Sequence, residues 1–363
     1  MDIQELDTPA VIVDLNVMER NLAQMAEYTK SKRIALRPHT KTHKNSEIAK
    51  LQIEGGAVGV TVAKPGEARV MVVGGVGDLM IAYPLVTSAK AQTAAELAGE
   101  CKLTISLDSE EAIGVLADAV SRTGTSIDVL VEIDVGFRRC GVALPEQAVQ
   151  LARQALRSPK LNFRGLMFYP GNLAKPPAEQ PPLIAEVNGT LTKFYEAFQK
   201  EQIEIPVISG GSTPTALRSH LFDGVTEIRP GMYLFNDGNL VKMGICSLED
   251  CALHVLVTVA STAVPGRAIV DGGSKTFSSD RARGDKATFG TIREDPDTDF
   301  VALSEEHGHL DLSRATRQYH VGDRLRILPN HVCATVNMHD RIYGIRGTKV
   351  ERVWAVEARG KVQ

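Results

Sequence analysis

The sequence predicts an α/β protein that consists of a (β/α)8 TIM barrel and a C-terminal antiparallel β-domain. First, β-rich runs alternate with stretches of helical composition eight times over about 220 residues, which is the pattern of a parallel barrel. Second, the sequence pattern changes after roughly Asp237. From there, segments in which β-branched and polar residues alternate are separated by Gly, Asp and Pro. Third, an early strand at Ala10–Val13 precedes the first helix and has no place in the barrel.

Each barrel strand is predicted from a short β-rich run that is followed by a polar or glycine-containing turn. The predicted strands are Ile34–Leu36, Ala57–Val62, Asp78–Ala82, Lys102–Leu107, Ile127–Ile133, Asn162–Phe168, Pro206–Ser209 and Thr226–Ile228. Stretches of helical composition predict helices that include Asn16–Tyr28, Ser46–Gln52, Pro65–Val73, Ser88–Leu97 and Leu144–Ala155.

The β-domain is predicted from alternating segments in the last third of the chain. These segments are Ala252–Ser261, Ala268–Val270, Arg324–Leu328 and Val350–Glu357. We expect the early strand Ala10–Val13 to pair with them, so that the two parts of the chain are interleaved. The predicted boundaries are therefore 15–240 for the barrel, and 1–14 with 241–363 for the β-domain.

Composition limits the class of protein. With 43% hydrophobic and 23% charged residues, the 363-residue chain can bury a large core, and its formal net charge of -3 gives no electrostatic reason to expect nucleic acid or an anionic membrane as a partner. No apolar run is long enough to span a bilayer and the first residues do not resemble a signal peptide, so we expect a cytoplasmic location. Five cysteines without a C-x-x-C pair argue against a disulfide framework.

A cation-dense stretch follows the first barrel strand almost without a turn. It reads Arg37-Pro38-His39-Thr40-Lys41-Thr42-His43-Lys44. Because barrels carry catalytic groups at the C-terminal ends of their strands, a lysine here can form an imine with an aldehyde cofactor. Lys44 is predicted to be a solvated helix cation. His39 and His43 are either functional or local hydrogen-bonding residues that fix the strand end.

Four further features follow later strands of the predicted barrel. They are Asp134-Val135-Gly136-Phe137-Arg138-Arg139-Cys140-Gly141, Tyr169-Pro170-Gly171-Asn172, Ser209-Gly210-Gly211-Ser212-Thr213 and Arg229-Pro230-Gly231-Met232-Tyr233. Backbone amides of a Gly-Gly-Ser-Thr turn that opens a helix can bind an anion, with two hydroxyl donors beside it. Together with the lysine, this phosphate cradle points to pyridoxal phosphate. The same glycine-rich sequence is also typical of a tight βα turn that binds no ligand.

These motifs together resemble the alanine-racemase-like (fold type III) pyridoxal-phosphate enzymes, and within them the D-threonine aldolase and D-serine dehydratase group. The resemblance covers nearly the whole chain, from Thr8-Pro9 to Ala358-Arg359-Gly360. It implies that Lys41 carries the cofactor as an imine and that Arg139 and Tyr169 lie beside the cofactor ring. It also implies that the phosphate is held by Gly210, Gly211, Ser212, Thr213 and Tyr233. Ser209 and Arg229 at the neighbouring strand ends are predicted to bind the cofactor as well.

A second motif lies in the later domain, where the chain reads Asn330-His331-Val332-Cys333-Ala334-Thr335. If the segment is an extended strand, His331 and Cys333 point to the same face and can bind one metal ion while leaving positions open for water or substrate. The resemblance places a divalent metal at this motif. Cysteine favours zinc over manganese or magnesium, which stay possible.

A metal beside pyridoxal phosphate indicates a D-3-hydroxy amino acid as substrate, with the D configuration implied by the resemblance. Retro-aldol cleavage to glycine and an aldehyde is our first expectation, and elimination to a keto acid and ammonia, as in D-serine or D-threo-3-hydroxyaspartate dehydratases, is the alternative. A racemase, with Tyr319 or Tyr343 as second base, and a non-catalytic cofactor carrier are less favoured. Relatives build each site with loops of a neighbouring subunit, so we expect a homodimer.

The catalytic base is the open question of this sequence. Family members often carry a histidine in the turn after the tyrosine of strand six, where this chain has Asn172. His39, His307 or a metal-bound hydroxide could replace it, and His307 could equally be a turn residue of the β-domain.

Overall fold

The computed structural model describes residues 1–283 and 288–363, which form two compact units. One unit comprises Met1–Ala23, Thr42–Asn45 and Met232–Gly360, and the other comprises Gln24–Lys41, Ser46–Gly231 and Lys361–Gln363. A 3-10 turn, Ile3–Glu5, is followed by strand β1 (Ala10–Asp14) and helix α1 (Leu15–Lys32). Among the described residues, no helix combines the length and apolar character that a membrane crossing requires.

The second unit is built on a parallel sheet. Its strands are β2 (Ala35–Leu36), β3 (Val60–Val62), β4 (Asp78–Ile81), β5 (Lys102–Leu107), β6 (Ile127–Ile133), β7 (Leu161–Phe168), β8 (Val207–Gly210) and β9 (Glu227–Ile228). Across the described residues these eight strands follow the order β2-β9-β8-β7-β6-β5-β4-β3. Amides of Val58 and Thr61 donate to the carbonyls of Leu36 and Pro38 at 2.9 and 2.8 Å and close the circle. The predicted TIM barrel is confirmed.

Helices follow most of the barrel strands. They are α2 (Ser46–Glu54), α3 (Pro65–Val73), α4 (Ser88–Leu97), α5 (Glu110–Thr123), α6 (Pro145–Arg157) and α7 (Gln180–Lys200). Local chemistry sets their limits, as in α5, where the Ser109 hydroxyl accepts from the Ala112 amide and Gly124 ends the helix at φ 76°. After β8 the chain forms a 3-10 helix, Thr213–Leu221, with Pro214 in its first turn and with the hydroxyls of Thr215 and Ser219 donating to backbone carbonyls.

The two faces of the barrel sheet bury different side chains. Leu79 and Ile81 of β4 belong to the large apolar cluster shared with the helices, whereas Met80 between them packs with Leu130 and Met167. Because strand side chains alternate, Met80 and its partners fill the inside of the barrel. Gly165 of β7 has φ 138°, and a Cβ there would lie 2.0 Å from the Val207 carbonyl oxygen, so this close strand approach requires glycine.

The first unit is a β-domain. Its later strands are β10 (Leu253–Ser261), β11 (Arg267–Val270), β12 (Gly290–Ile292), β13 (Asp299–Leu303), β14 (Gly308–Asp311), β15 (Arg324–Pro329), β16 (Arg341–Arg346) and β17 (Lys349–Ala355). Short helices α8 (Gly238–Lys242), α9 (Ser274–Phe277) and α10 (Val332–Val336) connect them. In the described part of the chain the sheet order is β11-β14-β13-β12-β15-β10-β1-β16-β17, and β11 also pairs with β10.

The N-terminal strand lies inside this sheet, as the sequence predicts. Ile12 of β1 faces His254 of β10 in an antiparallel ladder and Tyr343 of β16 in a parallel one. The ladder between β1 and β16 is parallel, whereas the other ladders described in this sheet are antiparallel, as the sequence predicts. It is possible because residues far apart in sequence supply the two strands, so no short hairpin has to join them.

Candidate functional site

Lys41 lies just after β2, in a 3-10 turn formed by Thr40–Thr42. Its side chain is exposed, and in the described residues its amine makes no hydrogen bond or ion pair. The preceding residue, Thr40, is fully buried, and its hydroxyl donates to Glu67 Oε1 at 2.7 Å. The strand end is therefore anchored while the amine that follows it is available.

His39 is half-buried, and its Nδ1 accepts the backbone amide of Lys41 at 3.3 Å. In a neutral imidazole this contact places the proton on Nε2, so the ring serves to fix the turn. This contact is a local role of the kind that the sequence left open for His39, and its catalytic role stays a prediction. His43, the second histidine of the stretch, is fully buried and accepts the Asn45 amide through Nδ1 at 3.2 Å.

The glycine-rich turn after β8 has the shape that an anion cradle needs. Gly211 has φ 89°, which side chains disfavour, and a Cβ at Gly210 would lie 2.1 Å from the Phe168 ring. Ser212 and Thr213 begin the 3-10 helix, whose first amides have no helical partner by geometry. The Thr213 hydroxyl accepts the amide of Gly231 at 3.3 Å, which ties the turns after β8 and β9 together.

Ser209 and Arg229 belong to a different environment from the rest of this cradle. The Ser209 hydroxyl donates to Glu227 Oε1 at 2.5 Å and accepts from Arg229 Nη1. Arg229 Nη2 donates to the Phe168 carbonyl at 2.9 Å, and burial lowers the pKa of the guanidinium to about 10 although Glu227 and Glu132 oppose this shift. These bonds commit both side chains to a network among the barrel strand ends.

Arg139 and Tyr169 lie together at the ends of β6 and β7. The Arg139 guanidinium stands 4.6 Å from the centroid of the Tyr169 ring and 5.3 Å from that of Phe137, within cation–π range. Asp134 shapes the turn before it, because its carboxylate accepts the amides of Gly136 and Arg138 at 3.1 and 2.9 Å. The structure thus brings the two predicted ring neighbours into contact.

Glu132 of β6 is a charged residue whose importance the sequence analysis missed. It is 3% exposed, and no hydrogen bond to its carboxylate is found in the described residues. Burial raises the pKa of Glu132 to about 7, although Arg229 and Arg139 act to lower it. An acidic residue between Val131 and Ile133, in the buried part of a parallel strand, was the available signal.

His331 and Cys333 are close together, but the expectation that they occupy an extended strand is wrong. His331 is the N-cap residue of α10 and Cys333 lies in the first turn of that helix. Their side chains are in hydrogen-bond contact, and Cys333 Sγ lies 3.3 Å from the Thr42 hydroxyl. Proximity of the two donors therefore comes from a helix start, where the chain changes from extended to helical between them.

Asp237 orients His331, and this residue was missed as part of the site. Its fully buried carboxylate accepts the Leu240 amide at 3.0 Å through Oδ1 and lies 3.4 Å from His331 Nδ1 through Oδ2. Burial acts to lower the pKa of His331, but hydrogen bonds to Asp237 and Cys333, and their negative charges, outweigh it and raise the pKa to about 10. The N-cap role of Asp237 was visible in sequence, whereas its link to His331 was not.

The donor set fits a divalent metal with open coordination positions. An imidazole and a thiol converge, and a carboxylate engages the other imidazole nitrogen, as commonly seen around metal-bound histidines. In the described residues no group of three or more His, Cys, Asp or Glu side chains gathers to bind a metal. A closed four-ligand structural zinc site is therefore not formed by these residues.

The other residues considered as bases are His307 and Tyr319, and Asn172 occupies the position where relatives often carry a histidine. His307 is exposed in the turn between β13 and β14, where its carbonyl accepts the Ser304 amide at 2.9 Å. The hydroxyl of Tyr319, the first candidate for a racemase base, donates to Asp295 Oδ2 at 3.1 Å, and burial raises its pKa to about 12. Asn172 cannot accept a proton, and its buried Oδ1 has no hydrogen-bond partner in the described residues.

Comparison with known proteins identifies the family of the chain. The family described as alanine racemase, N-terminal domain, matches residues 13–238, and a putative serine dehydratase domain matches residues 252–345. A D-threonine aldolase of Arthrobacter sp. is 32% identical over 99% of this chain and 94% of its own. A D-threo-3-hydroxyaspartate dehydratase of Delftia sp. (strain HT23) is 35% identical over 91% of this chain and 92% of its own.

Solved structures agree with these relatives. The crystal structure of a D-threonine aldolase from Filomicrobium marinum has a TM-score of 0.93 at 32% identity and covers 99% of this chain and 98% of its own. A cysteine-to-alanine mutant of the D-threo-3-hydroxyaspartate dehydratase in its metal-free form has a TM-score of 0.89 at 30% identity, with 98% of both chains covered. The resemblance predicted from the motifs is confirmed. The chain belongs to the pyridoxal-phosphate-dependent alanine racemase-like family, with an alanine racemase N-terminal domain followed by a D-serine dehydratase-like domain.

Proposed function

We propose that the protein is a pyridoxal-phosphate- and divalent-metal-dependent lyase that acts on D-3-hydroxy amino acids, with retro-aldol cleavage of D-threonine to glycine and an aldehyde as its reaction. One observation carries the proposal. Thr42, the residue after the lysine, lies with its hydroxyl 3.3 Å from Cys333 Sγ. The chain itself thus joins the imine-forming amine to the candidate metal ligands.

In this proposal the barrel residues 15–240 bind the cofactor. Lys41 supplies the amine, because it is exposed and has no competing partner in the described residues. Gly210, Gly211, Ser212 and Thr213 bind the phosphate through amides and hydroxyls, with Tyr233 as a further contact. Bound pyridoxal phosphate supplies an electron sink for the negative charge that develops on the substrate.

The β-domain, residues 1–14 and 241–363, binds the metal through His331 and Cys333. Asp237 holds Nδ1 of the imidazole, which directs Nε2 to the ion. Zinc is the favoured ion because a thiolate is a soft ligand, and manganese or magnesium are the alternatives. The bound ion would supply Lewis acidity at a substrate hydroxyl.

Arg139 and Tyr169 are proposed to bind and orient the substrate beside the cofactor ring. Their stacked geometry fixes the guanidinium, which can then pair with a carboxylate. Asn172 stands in the turn after Tyr169 where family members often carry a histidine, so His39, His307 and the metal site are the candidates for the base. A metal held by His331 and Cys333 would favour loss of the substrate hydroxyl proton through its Lewis acidity.

A dehydratase is the second candidate. It is favoured by the Delftia relative and by the cysteine at position 333, since the resemblance places cysteine more often in the dehydratases. The same residues serve both reactions, and they differ in whether the Cα–Cβ bond or the Cβ–oxygen bond of the substrate breaks.

Product analysis distinguishes the two reactions. Purified protein with pyridoxal phosphate and zinc or manganese is incubated with D-threonine, and glycine and acetaldehyde are expected. Release of 2-oxobutanoate and ammonia without glycine would replace the aldolase by the dehydratase. We expect EDTA or Cys333→Ala to abolish turnover, while Cys101→Ala, which changes a half-buried thiol of the barrel unit, keeps it. Inversion at Cα that survives EDTA, without release of glycine or a keto acid, would instead indicate a racemase.

A homodimer and a cytoplasmic location complete the proposal. Light scattering coupled to size exclusion measures the first, and cell fractionation measures the second.

A further inference from the structure

Lys44 is a buried lysine three residues after Lys41, so the prediction of a solvated helix cation is wrong. It is 7% exposed and has φ 54°, a left-handed conformation that is uncommon for lysine. No carboxylate of the described residues forms an ion pair with it. A buried ammonium is costly unless it is hydrogen-bonded, so its contacts must compensate for this burial.

The partner of Lys44 is the segment Ala355–Gly360, which begins at the last residue of β17. Lys44 Nζ donates to the Ala358 carbonyl at 3.1 Å, and the Ala358 amide donates back to the Lys44 carbonyl at 3.0 Å. The next residue, Asn45, donates through Nδ2 to the Ala355 carbonyl at 2.9 Å. Main chain and side chains of these two residues are therefore fastened to one short stretch of the β-domain.

The Ala355–Gly360 segment is also fastened near α10, the helix that carries Cys333. The Gly360 amide donates to Oδ1 of Asn337, the C-cap residue of α10, at 3.3 Å. Asp340 accepts the Arg359 guanidinium at 2.6 Å through its side chain and the Val356 amide at 2.8 Å through its carbonyl. One segment thus holds both the residues after Lys41 and the helix with the thiol.

We infer that Lys44 and the Ala355–Gly360 segment form a clamp that positions Lys41 for its bond with the cofactor. The inference rests on the proposed function, in which Lys41 carries pyridoxal phosphate. On the upstream side, the Thr40 hydroxyl is fixed by Glu67 at 2.7 Å. On the downstream side, Lys44 and Asn45 are fixed by Ala358 and Ala355. Because the residues on both sides of Lys41 are held, its backbone moves little. The exposed amine is therefore kept where the imine forms.

The test compares two lysines with the same local geometry. Lys160 also has a positive φ, 66°, and its Nζ donates to the Gly124 carbonyl at 2.6 Å, but it is exposed and lies between α6 and β7 of the barrel unit. We expect Lys44→Met to lose bound cofactor during dialysis about tenfold faster than the parent protein, because one hydrogen bond from a charged donor is removed and the Ala358 carbonyl is left unpaired. Lys160→Met should retain cofactor as the parent does.

Borohydride reduction of the holoenzyme, followed by peptide mass mapping, locates the cofactor. In the parent and in Lys160→Met the label should be on Lys41, and in Lys44→Met the labelled fraction should fall. Lys44→Arg, which keeps a charged donor, should restore part of the labelling. Asn45→Ala, which removes only the bond to Ala355, should give a smaller loss in the same direction and serves if Lys44→Met fails to fold.

The outcomes separate the clamp from the proposed function. Cofactor loss at the parent rate in folded Lys44→Met, with only a lower melting temperature, would mean that Lys44 merely stabilises the fold and would overturn the clamp. Label on Lys44 in the parent would also overturn it, since that lysine would then be the cofactor residue. If no lysine of the parent is labelled, the proposed function fails first, and the clamp falls with it.

Discussion

Two polar clusters of this molecule use similar groups in opposite ways. In the barrel unit, Arg37, Glu227, Ser209 and Arg229 are at most 7% exposed and hydrogen-bond to one another or to neighbouring backbone, and we call them the interior ion network. In the β-domain, His331 and Cys333 also have a buried carboxylate beside them, but the His331 side chain is 37% exposed. A cluster whose groups satisfy one another supports a structure, whereas one that leaves donor atoms accessible can take a ligand.

The largest effect that we expect comes from breaking the interior ion network. Arg37 Nε donates to Glu227 at 2.7 Å and Nη1 to Asp78 at 2.5 Å, so Arg37→Met removes a buried cation that pairs with both carboxylates, of which Asp78 keeps the exposed Lys102 as a partner. The free energy of unfolding should fall by about 3–5 kcal/mol, measured by urea denaturation. Arg69→Met removes the exposed pair with Glu100 and should cost less than about 1 kcal/mol. Equal losses of unfolding free energy in Arg37→Met and Arg69→Met would contradict the distinction between the interior ion network and exposed ion pairs.

For the cluster of His331, Cys333 and Asp237, we expect a mutation to change metal affinity more than stability. Asp237→Asn keeps the shape and an oxygen that can cap Leu240, but it removes the negative charge that orients His331. Zinc affinity, measured by competition with a chromophoric chelator, should fall roughly 10–100-fold. Asp295→Asn changes another aspartate of the β-domain that accepts side-chain hydrogen bonds, from Thr298 and Tyr319, and should leave zinc affinity unchanged. A similar loss in both variants would show that folding, and not orientation of the imidazole, was affected.

The smallest effect concerns pH, and it tests whether the interior of the barrel is fully closed. Because burial raises the pKa of Glu132 to about 7, the native state holds this proton more tightly than the unfolded state between pH 4.5 and 7. Stability therefore falls as pH rises through this window, since the unfolded state binds fewer protons there. Glu132→Gln removes this pH dependence. The unfolding free energy of the variant minus that of the parent should therefore increase by roughly 1–2 kcal/mol between pH 5.5 and pH 8. A difference that stays constant with pH would argue for a solvated carboxylate.

Sequence reasoning succeeded where the pattern is local and regular. The predicted Lys102–Leu107 and Ile127–Ile133 coincide with β5 and β6, and Pro65–Val73 and Ser88–Leu97 with α3 and α4, because buried parallel strands and their helices have distinct compositions. The glycine-rich turn and Lys41 also fall at strand ends as predicted, since barrel geometry fixes that relation. The roles assigned to these residues stay predictions.

The failures have a common physical cause, which is dependence on partners far away in the chain. The segment from His331 to Thr335 reads as well as a strand as it does as a short helix, because five residues carry too little periodicity to separate the two. In the sequence Lys44 resembles a surface cation, because its hydrogen bond to the Ala358 carbonyl joins residues far apart in the chain. The link from Asp237 to His331 is of the same kind, since the N-cap pattern predicts only contacts within its own helix.

The position of β1 between β10 and β16 also governs how the molecule is made. This strand leaves the ribosome before any part of the barrel, yet both of its ladder partners are synthesised only after the barrel is complete. The early apolar segment must therefore wait, unpaired, throughout translation of the intervening domain. Among the parts of the chain, we expect this waiting segment to be the one most in need of chaperone protection during synthesis.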